Sequence, residues 1–519
     1  MTHKMVTTQF LVANSLKKFR DKIFTKIDSK EYTYNDVLIT SNRVANGIQS
    51  LGYGPGDRIG LAIPNSFDLV CCLYGILKAG TTFVGINMML GENDIRFILN
   101  DASIKMLITD KAGEEKILKM KGQLPNLKTI ICLGGTTTKD VIAWDELLSK
   151  QPATDPLLTA KPEDDAFVVY TGGTTGTPKG VIHSQSSFYF AMISYSTTFN
   201  FVPTDNILLV TPLTHGAGLI MLQGSINGIR FIIEKKFDLF AVLDIIAREK
   251  VTAVALVPTI VYILLDILKQ GKYDLSSLRI LIYMTAPMSE ARLGEAIDRF
   301  GPILIQTYGQ TECPQIVTSL TQDDHIRAIK DKHLLASCGR PCQMMSLRIV
   351  DEKGNDVPQG ETGEIIVCAP GVMKGYLNQP ELTKATIVDG WLHTGDMGMV
   401  DKEGYVYIVD RKKDMIISGG MNVFCGTVEN VLSKHPKVKQ VAVIGIPDDK
   451  WGEAVIAIVV PDGDVTEEEI LSFSKSKLNK YEQPKKIVFQ QQMPLTAVAK
   501  IDKNALRAPY WQGKSRRVN

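Results

Sequence analysis

The sequence predicts an α/β protein: a large N-terminal domain of layered α/β sheets with a small β-subdomain, then a small mobile α+β C-terminal domain. Three observations predict it. A strand, helix, strand rhythm recurs through the first part of the chain, as buried sheets with helical layers require. From about Gly339 the texture changes to short β-rich pieces separated by turns, and beyond the charged run 410–414 a compact α+β pattern resumes. Finally, 519 residues are too many for one ordinary hydrophobic core, so two or more units are expected.

In chain order, a loop at 52–57 is followed by an apolar strand at 58–63, a helical period at 66–78 ending before Gly80, and a strand at 82–86. The rhythm returns with strands at 207–212, 253–257 and 278–283 and helices at 238–248, 260–269 and 289–300. Strands at 346–350, 364–367 and 405–409, with turn sequences at 351–356 and 401–404, make the β-subdomain. A helix near 427–434, a strand at 440–446 and a helix at 466–478 make the last unit. The expected boundaries are 1–409 for the large domain, 410–413 for a hinge and 414–519 for the small domain. No 20- to 50-residue repeat and no low-complexity tract interrupts this order.

Composition excludes several function classes. With 58 basic and 56 acidic side chains the net charge is +2, too small to recruit nucleic acid or an anionic membrane, so any anion must be bound locally. Eight cysteines include the adjacent Cys71 and Cys72, while Cys338 and Cys342 lack a second cluster at zinc-finger spacing; all eight are expected as reduced, mostly buried thiols. The N-terminus lacks a secretory pattern, and the apolar stretches 69–77 and 257–268 are short of a bilayer span or interrupted by charge. The expectation is a cytoplasmic protein with no integral membrane segment.

One loop carries a specific chemical signal. The strand-like run 167–170 leads directly into Thr171, Gly172, Gly173, Thr174, Thr175, Gly176, Thr177, Pro178, Lys179 and Gly180, followed by a strand-like 181–183. Glycines let backbone N–H groups converge on an anion, threonine hydroxyls add donors, and Lys179 supplies a point charge. The lysine follows proline and precedes glycine, so this is not a Walker A loop, and no dinucleotide fingerprint occurs. The bland alternative is a Gly/Thr-rich surface loop. A string of this length leaving a buried strand fits phosphate binding better.

With this loop the sequence resembles the adenylate-forming superfamily of acyl-CoA synthetases, peptide-synthetase adenylation domains and luciferases. Their ATP phosphate loop has serine where Gly172 stands. The likeness runs from Tyr32 to Lys500, with six motifs in the family's order. It implies that Tyr308 stacks on adenine, that Gly309 and Gln310 belong to the same nucleotide segment, that Thr311 contacts the α-phosphate, and that Glu312 helps hold Mg²⁺. Taken alone, a Thr-Glu pair is more often a helix cap. Asp396, in a Trp-Leu-His-Thr-Gly-Asp segment, is implied as the ribose ligand. Arg411 is implied to contact the nucleotide and Lys413 to sit at the domain pivot, although a charge run is ordinarily a solvated face. Lys500 matches the catalytic lysine bridging the substrate carboxylate and the α-phosphate, with Ala499 where glycine is usual.

The resemblance also implies an acyl pocket: His215 as its aromatic gate, Gly216 where amino-acid-activating relatives carry an aspartate, then Val257, Thr259, Met284, Thr285 and Ala286. Met284 and Thr285 replace small residues and would reshape the pocket floor. Ser418, Gly419 and Gly420 match the segment that lines the approach of coenzyme A, with Met421 and Cys425 where relatives have glutamate and proline. The implied reaction joins a fatty, alicyclic or aromatic carboxylic acid to CoA through an acyl-adenylate, using ATP, Mg²⁺ and coenzyme A. No Gly-x-Ser-x-Gly elbow or Cys/His pair argues for a protein nucleophile. Two rival readings are transfer to a carrier-protein phosphopantetheine and a nucleotide-binding pseudoenzyme. Relatives are often homodimers.

Overall fold

The computed structural model describes residues 6–171, 178–214, 216–235, 238–271, 273–286, 288–495 and 501–512. Among them the strands form four sheets. The first has nine strands around a parallel centre of Arg230–Ile233, Asn206–Leu209, Ala253–Leu256, Ile280–Met284 and Leu304–Gln310. The second has eight, with Thr82–Gly85, Arg58–Ala62, Met106–Thr109 and Thr129–Cys132 parallel at its middle. Asp165–Thr171 runs parallel to Thr82–Gly85 and antiparallel to Lys179–Ser184.

Both sheets are buried on both faces, which explains their unbroken apolar strands. Successive side chains point to opposite sides. Ile207 and Leu209 enter a core that joins both sheets through helices Tyr34–Ser50, Phe67–Lys78, Gln185–Thr198 and Gly216–Ser225. Leu208 instead enters the outer cluster under helices Ala241–Glu249, Pro258–Leu268 and Glu290–Phe300. The apolar 69–77 run is therefore a core helix, started by Ser66, whose hydroxyl accepts from Leu69 N at 3.1 Å. No helix among the described residues is long and apolar enough to cross a membrane.

The β-subdomain is an antiparallel sheet containing Ser346–Val350, Gly363–Cys368, Trp391–Val400 and Val406–Arg411. Its last strand runs further than expected. Asp396 pairs with Arg411 and Met397 with Asp410, so Asp410 and Arg411, placed in the hinge from sequence, lie in the large domain's ladder. The small domain's first strand, Ile416–Ser418, begins after a link at 412–415. That domain is a five-stranded sheet dominated by the hairpin Val438–Asp448 and Gly452–Pro461. Val443, Val455 and Ala457 pack under helices Cys425–Leu432 and Glu467–Lys475, while Ala442, Ile444 and Ile456 pack on Met493 and Leu506. All eight cysteines are free; six are buried, Cys342 is partly covered and Cys368 is exposed.

Candidate functional site

The site is built on the carboxyl ends of neighbouring parallel strands, where open α/β sheets hold ligands. Leu256 pairs with Tyr283 and Met284 with Thr307, so Val257, Thr259, Met284, Thr285 and Ala286 share one sheet edge with Tyr308. Thr311 and Glu312 are the two-residue turn between Leu304–Gln310 and Cys313–Leu320, with Gln310 opposite Cys313. A strand hairpin excludes the helix-cap alternative for this pair.

Glu312 is held by a residue the sequence reading missed. Tyr376 O–H donates to its Oε1 at 2.7 Å, and the Lys179 ammonium lies 5.8 Å from the centre of the same ring. Tyr376 arrives there because strand Gly375–Tyr376 pairs with Lys179–Ser184, placing Tyr376 opposite Val181. Burial and the Glu312 carboxylate push its phenol well above the ordinary range, so it stays a donor. Thr171 pairs with Lys179, so the two feet of the loop expected to bind phosphate are adjacent; Gly172, Gly173, Thr174, Thr175, Gly176 and Thr177 lie outside the described residues.

The turn is fixed from behind. Met373 N donates to the Glu312 carbonyl at 2.7 Å, and His183 Nε2 lies 2.8 Å from the Thr311 carbonyl. Burial pushes His183 down to about 4, so its ring is neutral, and a carbonyl partner requires Nε2 to carry the proton. The opposite nitrogen, Nδ1, is buried and has no hydrogen-bond partner among the described residues.

The same strand end carries a second pole, at Tyr308. Tyr308 O–H donates to Asp396 Oδ2 at 2.7 Å, and Arg411 Nε lies 3.3 Å from Oδ1. Asp396 is 5% exposed; burial raises its pKa, and Arg411 and the Tyr308 hydroxyl pull it back. Each carboxylate oxygen retains a second lone-pair direction. Tyr308 is itself packed against Val181, Cys313, Val317 and Leu392, so it serves as a buried strut for Asp396. Glu364, also missed from sequence, organises the neighbouring turn: Oε1 accepts from Gly395 N at 3.2 Å, and Oε2 lies 3.2 Å from Lys412 Nζ.

In the segment expected to precede an acyl pocket, Asn65 donates to the Thr211 carbonyl at 3.2 Å and accepts from Leu213 N at 2.9 Å. Gly216 opens helix Gly216–Ser225 with free space where a Cβ would stand; His215 lies outside the described residues. Thr285 has φ 75°, a left-handed conformation that is strained for a β-branched residue.

In the small domain, Gly419 and Gly420 form the two-residue turn between Ile416–Ser418 and Met421–Val423. Their φ values of 60° and 79° are what a tight type I′ hairpin demands, and a Cβ on Gly419 would come within 2.6 Å of Trp451. Ser418 is buried and Met421 is exposed. Lys413 lies in the link. Lys500 and Ala499 lie outside the described residues, but the feet of their loop, Leu495 and Ile501, are bridged.

Among the described residues no cluster of three or more His, Cys, Asp or Glu side chains could cage a metal. The lone carboxylate of Glu312 beside Lys179 suits Mg²⁺ carried on substrate phosphates, since that ion keeps waters and takes only one or two protein oxygens.

Two family models match this chain: the AMP-binding enzyme over 12–377 and the AMP-binding enzyme C-terminal domain over 427–500. The chain belongs to the AMP-binding enzyme family. Within it, the chain is 36% identical to the medium/long-chain-fatty-acid–CoA ligase FadD8 of Mycobacterium tuberculosis, over 98% of this chain and 91% of the relative. It is 34% identical to a feruloyl-CoA synthase of an Amycolatopsis species, over 92% and 93%. Among solved structures, the amide bond synthetase McbA from Marinactinospora thermotolerans matches with a TM-score of 0.87 at 27% identity, covering 97% of this chain and 100% of that one. The order of a large AMP-binding domain and a small C-terminal domain is thus the family's own.

Proposed function

We propose that this AMP-binding enzyme is an ATP-dependent carboxylic acid–CoA ligase, AMP-forming, that uses Mg²⁺. One observation carries the reading. A single strand end, Tyr308 to Glu312, touches Asp396 at one pole and Tyr376 at the other, with Lys179 beside it. That spacing of a ribose-type carboxylate and a phosphate-type cation and carboxylate fits one nucleotide laid along the strand end. The named relatives, a fatty-acid–CoA ligase and a feruloyl-CoA synthase, support CoA as the acceptor and a fatty or aromatic acid as the donor. Gly216 offers no carboxylate to an α-ammonium, which disfavours amino acids.

The chemistry follows from these groups. The loop from Thr171 to Lys179 cradles the phosphates, Asp396 and Arg411 hold the ribose side, and Thr311 contacts the α-phosphate. Glu312 would hold the Mg²⁺ that accompanies ATP, and that ion would supply charge to offset the pyrophosphate. The acid lies against Val257, Thr259, Met284, Thr285 and Ala286, behind His215. Its carboxylate attacks the α-phosphorus in line while Lys500 stabilises the developing charge, giving acyl-adenylate and pyrophosphate. The small domain then turns about the link that holds Lys413, withdrawing Lys500 and presenting Ser418, Gly419 and Gly420, and the CoA thiol displaces AMP.

The test is acid-dependent pyrophosphate release across fatty, alicyclic and aromatic acids, followed by product analysis with CoA and with a holo-carrier protein. Wild type is expected to form acyl-CoA, and Lys500→Ala to lose most pyrophosphate release. Thioester on the carrier alone, or ATP binding with no acid-dependent pyrophosphate, would overturn the reading. A homodimer in a cytoplasmic setting completes the proposal, checked by light scattering and cell fractionation.

A further inference from the structure

Away from the link, the described hydrogen bonds and ion pairs joining the two domains converge on Glu290, in the first turn of helix Glu290–Phe300. Its Oε1 accepts from Asn430 Nδ2 at 3.0 Å, and its Oε2 lies 3.1 Å from Lys434 Nζ. Asn430 lies in helix Cys425–Leu432, and Lys434 follows its end. The first residue of that helix is tied separately, Cys425 N–H donating to the Asp410 carboxylate. One helix of the small domain is thus held at two points, one beside the link and one further along its length.

Within its own domain Glu290 sits where any first-turn carboxylate favours the helix dipole, which does not require its contacts to the small domain. Ser289 caps its helix, accepting from Arg292 N, and Arg292 pairs with Asp266 and Glu295. Among the described residues the Glu290 carboxylate bonds only across the domain boundary. Asn430 and Lys434 stand five and nine residues beyond Cys425, roughly 7 to 13 Å by helical rise. A rotation about 412–415 that leaves Asp410 near the pivot therefore breaks the Glu290 contact first. With side chains 26% and 43% exposed, the Glu290 and Lys434 pair is weak enough to be made and broken in each turnover.

We propose that Glu290 is a positioning residue that latches the small domain in the orientation seen here, and so sets the balance between the two half-reactions. This rests on the two-step ligase reading. The half-reactions are measured apart, as acid-dependent ATP–pyrophosphate exchange and as thioester formation from preformed acyl-adenylate. Glu290→Ala is expected to change the ratio of the two rates by about two- to fivefold, the equilibrium change that losing an exposed ion pair produces. The reversed pair Glu290→Lys with Lys434→Glu is expected to restore the ratio. Joining the positions by a disulfide, in a Glu290→Cys, Lys434→Cys protein with exposed Cys368 replaced by serine, is expected to spare one half-reaction and block the other until reduced. Rates that are unchanged, or that fall by a common factor, overturn the latch, as does a cross-linked enzyme competent in both steps. If wild type performs neither step, the ligase reading fails by itself, and small-angle scattering still decides the latch. Glu290→Ala must then broaden the interdomain distance distribution, and an unchanged profile overturns it.

Discussion

Tyr376 shows what a single residue adds to this site. Its hydroxyl is the described donor to Glu312 Oε1, and its ring lies beside Lys179, so one side chain contacts both the carboxylate and the cation of the proposed phosphate pole. Removing only the oxygen, in Tyr376→Phe, forfeits a hydrogen bond to a charged group, about 1.5 kcal/mol or roughly a tenfold loss in kcat/KM. The loss is expected for MgATP with the KM of the acid little changed, and steady-state pyrophosphate release checks it. Thr285 makes the opposite case. It adopts φ 75°, where its β-branch is strained and where the family pattern has a small residue. Thr285→Gly is expected to raise unfolding free energy by about 1 kcal/mol, the left-handed cost less the chain entropy of glycine. Urea denaturation measures it, and an acid-specificity panel shows whether the pocket floor changes with it.

At the scale of elements, the hairpin carrying Thr311 and Glu312 was half legible. The segment 308–312 was marked by its motif, but the turn was not expected, because the strand continues through polar residues that local pattern treats as loop. The start of the expected hinge was partly legible for a similar reason: Asp410 and Arg411 look like a solvated charge run, yet cross-strand pairing with Met397 and Asp396 holds them in a ladder. Two buried histidines support these elements in neutral form. His183 bonds the Thr311 carbonyl, and His325 lies 3.0 Å from the Tyr283 hydroxyl and 2.7 Å from the Thr321 carbonyl. Burial pushes each down to about 4. The unfolded chain takes up both protons near pH 6.5 while the folded chain does not until about pH 4. Stability is therefore full above the unfolded value and falls as pH drops through this window, by roughly 3 kcal/mol per histidine. Denaturation at stepped pH checks this, and His183→Gln with His325→Gln should flatten the slope.

Over the whole molecule, the core that joins the two large sheets contains an unusual member. Lys78 is fully buried at the end of helix Phe67–Lys78, donating to Ser41 Oγ at 2.8 Å and to Asn42 Oδ1 at 2.9 Å on the neighbouring helix. Burial lowers its pKa to about 7. Below that value both folded and unfolded chains carry the proton; above it only the unfolded chain does, up to its own value near 10.4. This lysine therefore adds stability as pH rises from about 7 toward 10. Lys78→Met is expected to lack that alkaline rise, and urea midpoints of the two proteins at pH 7 and pH 9.5 decide the matter. The same scale holds the domain arrangement, in which Asp410 and Glu290 grip one helix of the small domain from the large one.

The sequence by itself determined the α/β layering and the order of large domain, β-subdomain and small domain. These are written locally, in periodicity, turn residues and motif spacing, and each needs only a few neighbouring residues to be read. Tertiary structure alone decided which side chains support the motif segments. Tyr376 reaches Glu312 across 64 positions, His183 reaches Thr311 across 128, and Asn430 reaches Glu290 across 140. Such partners are chosen by strand register and by how the domains dock, and no pattern within either segment encodes the other. A side chain acts only over a few ångströms, so the motif segments could be picked out one by one, but their assembly into two poles joined by one strand end required the folded path of the chain.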